Sequence, residues 1–216
     1  GFKGAWLSLW LRDLGAHVHG FALAPHAPPN LHETLAPGTF ANETIGDIGD
    51  FDLVKQAAVD ARPDIVFHLA AQPLVRRSYD APLETATTNI LGTAHVLEAL
   101  RANKNDCPVV VVTSDKCYEN DGSSRAFTEG DALGGHDIYS ASKAAADLLV
   151  RSYHQTYGLP VITTRSCNNY GPYQFPEKFI PLMIINALSD RPLPIYGDGR
   201  NVRDWIHVDD HCNAIA

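Results

Sequence analysis

Tyr139 and Lys143, in the run Tyr139-Ser140-Ala141-Ser142-Lys143, are two residues whose types and spacing suggest chemistry. Four residues is close to one helical turn, so on a helix the phenol and the ammonium share a face. A free tyrosine ionises near pH ~10 and is no base at neutrality, and a neighbouring cation favours the phenolate. Lowering that ionisation by ~3 units takes about 4 kcal/mol of differential stabilisation, which a lysine together with a second positive charge, such as an oxidised nicotinamide, could supply. The spacing is common by chance, and its bland reading is a helical tyrosine beside a surface lysine. The bland reading loses weight because a strand ends at Thr113-Ser114. A hydroxyl at the carboxyl end of a central strand sits where open α/β sheets place their ligands. The strand end continues Ser114-Asp115-Lys116, a hydroxyl, a carboxylate and an amine in consecutive positions. This is either a polar turn or an acid/base cluster, and it becomes chemical only if Tyr139 converges on it.

The elements that must position these groups alternate between two periods. Helical texture covers 3–15, 51–61, 83–103 and 138–157, and strand texture covers 17–22, 64–69, 108–114 and 160–165. Residues 25–37, with Pro25, Pro28 and Pro29, read as a loop, and Thr44 to Asp47 as the end of a strand. The run 64–69 is apolar on both faces and reads as buried, and the four valines of 108–114 make the strongest strand. Strands alternating with long helices predict parallel βαβ units and an α/β, doubly wound parallel sheet. After Cys167 the texture changes to Asn, Gly, Pro and Tyr over 168–176, then a helix over 181–188 and a Pro/Gly-punctuated stretch over 191–200. This suits a small binding lobe, so the chain is divided into a main domain (1–166), a partial lobe (167–202) and a return to the main domain (203–216).

Composition narrows the function classes. Acidic residues outnumber basic ones, 25 against 17, and the formal charge of −8 argues against a partner such as nucleic acid or an anionic membrane. No apolar run approaches the roughly 20 residues of a bilayer span. Cys107, Cys117, Cys167 and Cys212 are scattered and form no CxxC pair, which favours a reducing, cytoplasmic setting over a disulfide framework or zinc site. His207 and His211 are four apart, but the first lies in a strand-like run, so no metal site is expected. The opening Trp6, Leu7, Leu9, Trp10 and Leu11 are broken by Arg12 and Asp13, which fits an amphipathic helix better than a signal peptide. Gly1 and Gly4 open that helix. Small residues there let backbone N–H groups approach a pyrophosphate, and the helix dipole favours the anion. The full dinucleotide fingerprint also needs a preceding strand and a further glycine.

Together these residues resemble the extended short-chain dehydrogenase/reductases, and within them the nucleotide-sugar 4,6-dehydratases. The runs Gly1-Phe2-Lys3-Gly4, His68-Leu69-Ala70-Ala71-Gln72-Pro73-Leu74-Val75-Arg76 and Thr113-Ser114-Asp115-Lys116-Cys117-Tyr118-Glu119-Asn120 resemble the CDP-glucose type. The runs Asn168-Asn169-Tyr170-Gly171-Pro172-Tyr173-Gln174-Phe175-Pro176-Glu177-Lys178, Tyr196-Gly197-Asp198-Gly199-Arg200 and Arg203-Asp204-Trp205-Ile206 resemble the dTDP-glucose type. Measured against that family the chain is expected to be truncated at both ends, lacking a first central strand, and so to be a partial sequence, or else poorly stable and inactive as it stands.

The resemblance implies an enzyme that uses NAD to make a 4-keto-6-deoxy sugar from a nucleotide sugar. It implies Tyr139 as general base, Lys143 as its partner on the nicotinamide ribose, and Ser114 as the hydroxyl sharing the bond to the sugar C4 hydroxyl. Asp115 is implied as the acid for the departing C6 hydroxyl. Lys116 is implied either as the C5 base, which requires a neutral amine, or as a cation steadying the enolate. For the cofactor it implies Gly1, Phe2 and Gly4 at the pyrophosphate, Asp47 and Ile48 at the adenine, Leu69, Ala70 and Ala71 along the cleft, and Asn89 beneath it. For the substrate it implies Gln72, Asn168 and Asn169, the cations Lys178 and Arg203, and Phe179 or Tyr196 as stacking aromatics. It implies a homodimer paired through the helices of 83–103 and 138–157. The strand 17–22 ends without an acid for a ribose hydroxyl or an arginine for a ribose phosphate, so NAD rests on the resemblance. A nucleotide-sugar 4-epimerase shares Tyr139, Lys143 and Ser114 but needs no acid aimed at C6. A non-catalytic cofactor-binding remnant is the third reading.

Overall fold

Four consecutive valines, Val109–Val112, form the middle strand of the largest sheet and are buried on both faces. Full burial of a valine side chain contributes roughly 1.5–3 kcal/mol, so this strand anchors the molecule. The computed structural model describes residues 1–25, 30–120, 122–123, 125–195 and 197–216. In chain order the elements are α1 (Phe2–Asp13), β1 (His19–Ala22), α2 (Leu31–Thr34), β2 (Asn42–Ile45), α3 (Phe51–Ala61), β3 (Val66–His68), α4 (Val75–Asp80) and α5 (Pro82–Ala86). A π-helical turn (Thr87–Leu91) runs into α6 (Gly92–Ala102), followed by β4 (Val109–Val112), a 3₁₀ turn (Asp115–Cys117) and α7 (Ile138–Tyr157). Then come β5 (Val161–Thr164), β6 (Asn168–Tyr170), α8 (Phe179–Leu188), β7 (Trp205–His207) and α9 (Val208–Ile215).

These elements form two compact units. One comprises His19–Ala24 and Ala41–Ser166. It holds a parallel pair, β1 with β2, and a parallel sheet in the order β3-β4-β5, with Val66 beside Val109 and Val109 beside Val161. Helices α3 and α6 pack together and join the two ladders through a core of Ile48, Val54 and Ala99, against which Phe21 packs. A second core of Leu97, Leu100, Cys107, Val109, Val111, Val150 and Leu159 clamps α6 and α7 onto the larger sheet. The other unit comprises Gly1–Val18, Pro25–Phe40 and Cys167–Ala216. In it α1 packs on α9, and β6 pairs in parallel with β7.

Local chemistry sets the element ends. Asp50 caps α3 by accepting from Leu53 N–H, and Asp137 caps α7 by accepting from Ser140 N–H at 2.9 Å. Gly158 ends α7 in the left-handed region, φ +74°. The expected α/β architecture with parallel sheets is present, and four local expectations differ. The proline-rich stretch contains a short helix, α2, because Asn30 caps it by accepting from Glu33 N–H at 3.0 Å; Pro28 and Pro29 lie outside the described residues. The run 64–69 was expected to be buried on both faces, but only His68 of β3 is buried and Ile65 is exposed, because β3 pairs on one side, with β4. The helix expected over 83–103 contains the π turn. Residues 168–170, to which the Asn-, Gly-, Pro- and Tyr-rich texture assigned no element, form β6.

Gly135 fixes the approach to α7. It sits at φ +147°, and a Cβ there would lie 2.4 Å from the backbone nitrogen of Ala141. Gly135→Ala is expected to cost about 2–3 kcal/mol of unfolding free energy, from strain plus displacement of the first turn of α7. Urea denaturation with an unchanged m-value measures it.

Candidate active site

The site in the larger unit is built where β4 ends. Thr113 continues the ladder, donating its N–H to the Thr164 carbonyl at 2.8 Å. Ser114 is extended and caps the 3₁₀ turn, its Oγ accepting from Lys116 N–H at 3.3 Å and donating to Asp115 Oδ1 at 3.0 Å. The Asp115 N–H donates to the Ser166 carbonyl at 3.1 Å, which holds the acid against the end of β5. From α7, Lys143 Nζ donates to the Val112 carbonyl at 3.3 Å, and the Tyr139 phenol lies close enough to Ser114 and Asp115 to be influenced by both. Tyr139 and Lys143 are both buried. The tyrosine, the lysine, the serine and the acid therefore converge on the carboxyl end of the central strand, as the acid/base reading requires. Lys116 is half-buried, and its ammonium makes no hydrogen bond or ion pair with another described residue.

The electrostatics of the chain alone favour the neutral phenol. Burial pushes the Tyr139 phenol up to about 12, the nearby Ser114 hydroxyl opposes it, and the Asp115 charge adds to the effect of burial. Desolvation penalises the phenolate, and the acidification expected from a lysine together with a positively charged nicotinamide is not supplied by the chain alone. At neutral pH Tyr139 is therefore a phenol.

Leu69, Ala70 and Ala71 follow β3 as an open loop. Gln72, expected at the substrate, turns its amide inward. Its Nε2 donates to Thr85 Oγ1 at 2.8 Å and to the Leu74 carbonyl at 3.0 Å, while its Oε1 accepts from Leu74 N–H at 2.6 Å. Asn89, expected beneath the cofactor, spends its amide on Gln72 and Ser142. Asp47 is exposed and closes the turn after β2 by accepting from Gly49 N–H at 2.8 Å. Ile48 is buried in the α3–α6 core. In this unit sequence reasoning missed His68 and Thr93. A buried polar stripe of Thr85, Asn89 and Thr93, at i, i+4 and i+8, is the signal that could have found Thr93.

The smaller unit holds the other candidates. Gly1 is the N-cap of α1; no side chain caps this turn, and it contains no acid. A Cβ added at Gly1 or Gly4 would meet nothing within 4 Å, so these backbone positions are open to close approach. Phe2 is half-buried beside them. Asn168 donates to the Asp204 carbonyl at 3.2 Å, and Asn169 is buried and donates to the Cys167 carbonyl at 3.2 Å. Lys178 lies 3.9 Å from Glu177, and Arg203 is exposed. Phe179 stacks on Trp205 with ring centroids 6.1 Å apart. Tyr196 lies outside the described residues. Among the described residues no cluster of three or more His, Cys, Asp or Glu would hold a metal, and no helix is long and apolar enough to cross a membrane.

Several known proteins are similar to this chain in sequence and fold. A dTDP-glucose 4,6-dehydratase of Xanthomonas campestris is 48% identical over 178 residues, covering 79% of this chain and 51% of its own length. The CDP-glucose 4,6-dehydratase of Salmonella typhimurium is 36% identical over 217 residues, covering 96% of this chain and 60% of its own length. The chain thus spans about half to three fifths of these curated relatives. A crystal structure of a dTDP-glucose 4,6-dehydratase double mutant from Streptomyces venezuelae, solved with NAD bound, superimposes with a TM-score of 0.87 at 38% identity. It covers all of this chain and 68% of that one. The family model described as GDP-mannose 4,6 dehydratase matches residues 1–216. With the tyrosine–lysine pair on α7 meeting a serine and an acid at the end of a central parallel strand, the chain belongs to the GDP-mannose 4,6 dehydratase family of extended short-chain dehydrogenase/reductases.

Proposed function

We propose that the protein is an NAD-dependent nucleotide-sugar 4,6-dehydratase, converting CDP- or dTDP-glucose to the 4-keto-6-deoxy sugar. The observation that carries this reading is the convergence of Tyr139, Lys143, Ser114 and Asp115 on the end of β4. The chain's residues fit NAD. The first turn of α1 contains no acid and begins at Gly1, with Gly4 following, two positions where a Cβ would meet nothing within 4 Å, which suits a pyrophosphate. The buried phenol needs an added positive charge to ionise near neutrality, which suits an oxidised nicotinamide. Gly1, Phe2 and Gly4 would hold the pyrophosphate, Asp47 and Ile48 the adenine end, Leu69, Ala70 and Ala71 the cleft wall, and Lys143 the nicotinamide ribose. When bound, NAD accepts the C4 hydride and later returns it at C6.

The chain's own groups move the protons. Tyr139 Oη takes the proton of the sugar C4 hydroxyl, with Ser114 Oγ sharing that hydrogen bond. The resulting 4-keto group acidifies the C5 proton. Lys116 lies beside it, either as the base that removes this proton or as the cation that steadies the enolate. Asp115 protonates the C6 hydroxyl as it leaves as water. Asn168, Asn169, Lys178, Phe179 and Arg203 are the proposed contacts to the nucleotide and diphosphate. An epimerase sharing the tyrosine and serine would not need Asp115. Exposed Leu83, Leu91 and Leu148 on the helical face support the expected homodimer. The four cysteines, scattered and without a CxxC pair, support a reducing, cytoplasmic setting.

Incubation with CDP-glucose and with dTDP-glucose, followed by alkaline absorbance of a 4-keto product, tests the reading. Asp115→Asn is expected to lower product formation by about 10²-fold while reduced nicotinamide accumulates, because C4 oxidation does not need the acid. Full-speed elimination in this variant removes Asp115 from its role.

A further inference from the structure

The 3₁₀ turn that presents Asp115 and Lys116 runs directly into Tyr118, which is buried. The front of the turn is held by the Ser166 carbonyl, which accepts from Asp115 N–H at 3.1 Å. Its rear is held by the side chain of the residue before, Arg165. Arg165 Nη1 donates to Tyr118 Oη at 3.1 Å, and the guanidinium carbon lies 4.9 Å from the Tyr118 ring centroid. The same nitrogen donates to the Glu129 carbonyl at 3.0 Å. The other edge of the fork, Nε and Nη2, donates to the two carboxylate oxygens of buried Asp147 on α7, at 2.9 and 3.0 Å. Phe127 stacks on Tyr118 with centroids 4.9 Å apart and 10° between the planes. Glu119 N–H donates to the Ala132 carbonyl and Gly134 N–H to the Cys117 carbonyl, both at 2.9 Å, which seats Tyr118 between two backbone rungs. The chemistry described so far uses neither Tyr118 nor Arg165.

We propose that Arg165 and Tyr118 are positioning residues for the elimination half of the reaction, clamping the turn that aims Asp115 and Lys116. The turn cannot hold itself. It is three residues long, hydrogen bonds of this type have poor geometry, and its own are long, 3.1 Å from Cys117 N–H to the Ser114 carbonyl and 3.3 Å from Tyr118 N–H to the Asp115 carbonyl. Tyr139 and Lys143, by contrast, ride on a helix of 20 residues, and Lys143 is tied to the Val112 carbonyl. The two halves of the chemistry therefore stand on separate supports, α7 for hydride transfer and the Arg165 clamp for loss of water. Only an arginine serves, because the clamp needs N–H groups on both edges of a flat fork, and a lysine presents all its donors at one point. Desolvation offsets much of the attraction in an enclosed ion pair such as Arg165–Asp147, so stability alone does not account for it, whereas placement of the turn does. Misplacement of reacting groups by about 1 Å can cost 10²-fold in rate.

The proposal rests on the dehydratase reading, and its test separates the two. Tyr118→Phe and Arg165→Lys are made in the full chain. Tyr118→Phe keeps the ring, its stack on Phe127 and the Arg165–Asp147 pair, and removes one hydroxyl, so it tests the clamp even where Arg165→Lys fails to fold. Reduced nicotinamide is followed through a single turnover, its rise reading C4 oxidation and its decay reading elimination. Elimination is expected to slow about tenfold in Tyr118→Phe and about 10²-fold in Arg165→Lys, with C4 oxidation within about twofold, so that reduced nicotinamide accumulates. A defect of stability alone lowers both steps together and accumulates nothing. Equal slowing of both steps overturns the proposal, as does elimination at the unaltered rate in Tyr118→Phe. The second readout needs no turnover. Amide hydrogen exchange over residues 114–120 should quicken about tenfold in both variants, while 139–150 keeps its unaltered rate in Tyr118→Phe. Unchanged exchange over 114–120 overturns the proposal. If the unaltered protein turns over neither nucleotide sugar, the function reading fails, and the exchange still decides whether Arg165 and Tyr118 hold the turn.

Discussion

Tyr139→Phe is expected to reduce turnover of the nucleotide sugar by about 10³-fold while leaving the fold intact. The ring stays, so the packing of α7 against the end of β4 is kept, and the loss is confined to one hydroxyl. A phenol's hydrogen bond contributes only about 1 kcal/mol to stability. The rate effect is far larger if, as proposed, the phenol takes the C4 proton and must change its protonation state to do so. The chain by itself holds Tyr139 up at about 12. Any acidification must come from positive charge gathered during the reaction, and Lys143, tied to the Val112 carbonyl, lies at the same strand end as part of that charge. The measurements are kcat on CDP- and dTDP-glucose and an unfolding midpoint for each protein. A variant that retains a tenth of the turnover with normal stability would show that Tyr139 is not the base.

Why the base was legible in the sequence and its electrostatics were not comes down to range. Tyr139 and Lys143 are neighbours through helix periodicity, which a sequence states directly. Ser114 and Asp115 follow a run of valines that can only be a buried strand, and strand ends of that kind carry sites. Helices α3 and α7 fall on the expected bounds, because apolar spacing fixes their bodies and Asp50, Asp137 and Gly158 fix their ends. The sign of the Tyr139 shift depends on burial against residues far along the chain, which spacing does not encode. Gln72 shows the same limit. As part of a family-like run it was expected at the substrate, whereas its amide closes its own loop through Thr85 and Leu74. The π turn was hidden because adding one residue to a helical turn leaves the apolar pattern of 83–103 readable as one helix. Only the buried polar stripe Thr85, Asn89 and Thr93 betrays it, and polar residues at helical spacing are ordinarily taken for a solvated face.

The protein is expected to lose most of its stability on mild acidification, between pH 6.5 and about 4. His68 is fully enclosed, and its imidazole is pulled down from 6.5 to about 3, first by burial and then by the nearby Lys143 charge. His211 is pulled down to about 4 by burial and by Lys3. Both are neutral in the folded chain and protonate in the unfolded chain once the pH falls below 6.5, so the unfolded state binds more protons there. The stabilisation is complete above the unfolded value and is lost as the pH falls from 6.5 towards the folded values. By pH 4.5 each histidine withdraws about 2–3 kcal/mol, which together rival the net stability of an ordinary domain. The urea midpoint at pH 7.5 and at pH 5 measures the slope. His68→Gln keeps a neutral donor for Thr93 Oγ1, which lies 3.0 Å from His68 Nε2, and should flatten the dependence by roughly half. A midpoint as high at pH 5 as at pH 7.5 would mean that His68 is charged or solvated in the folded protein.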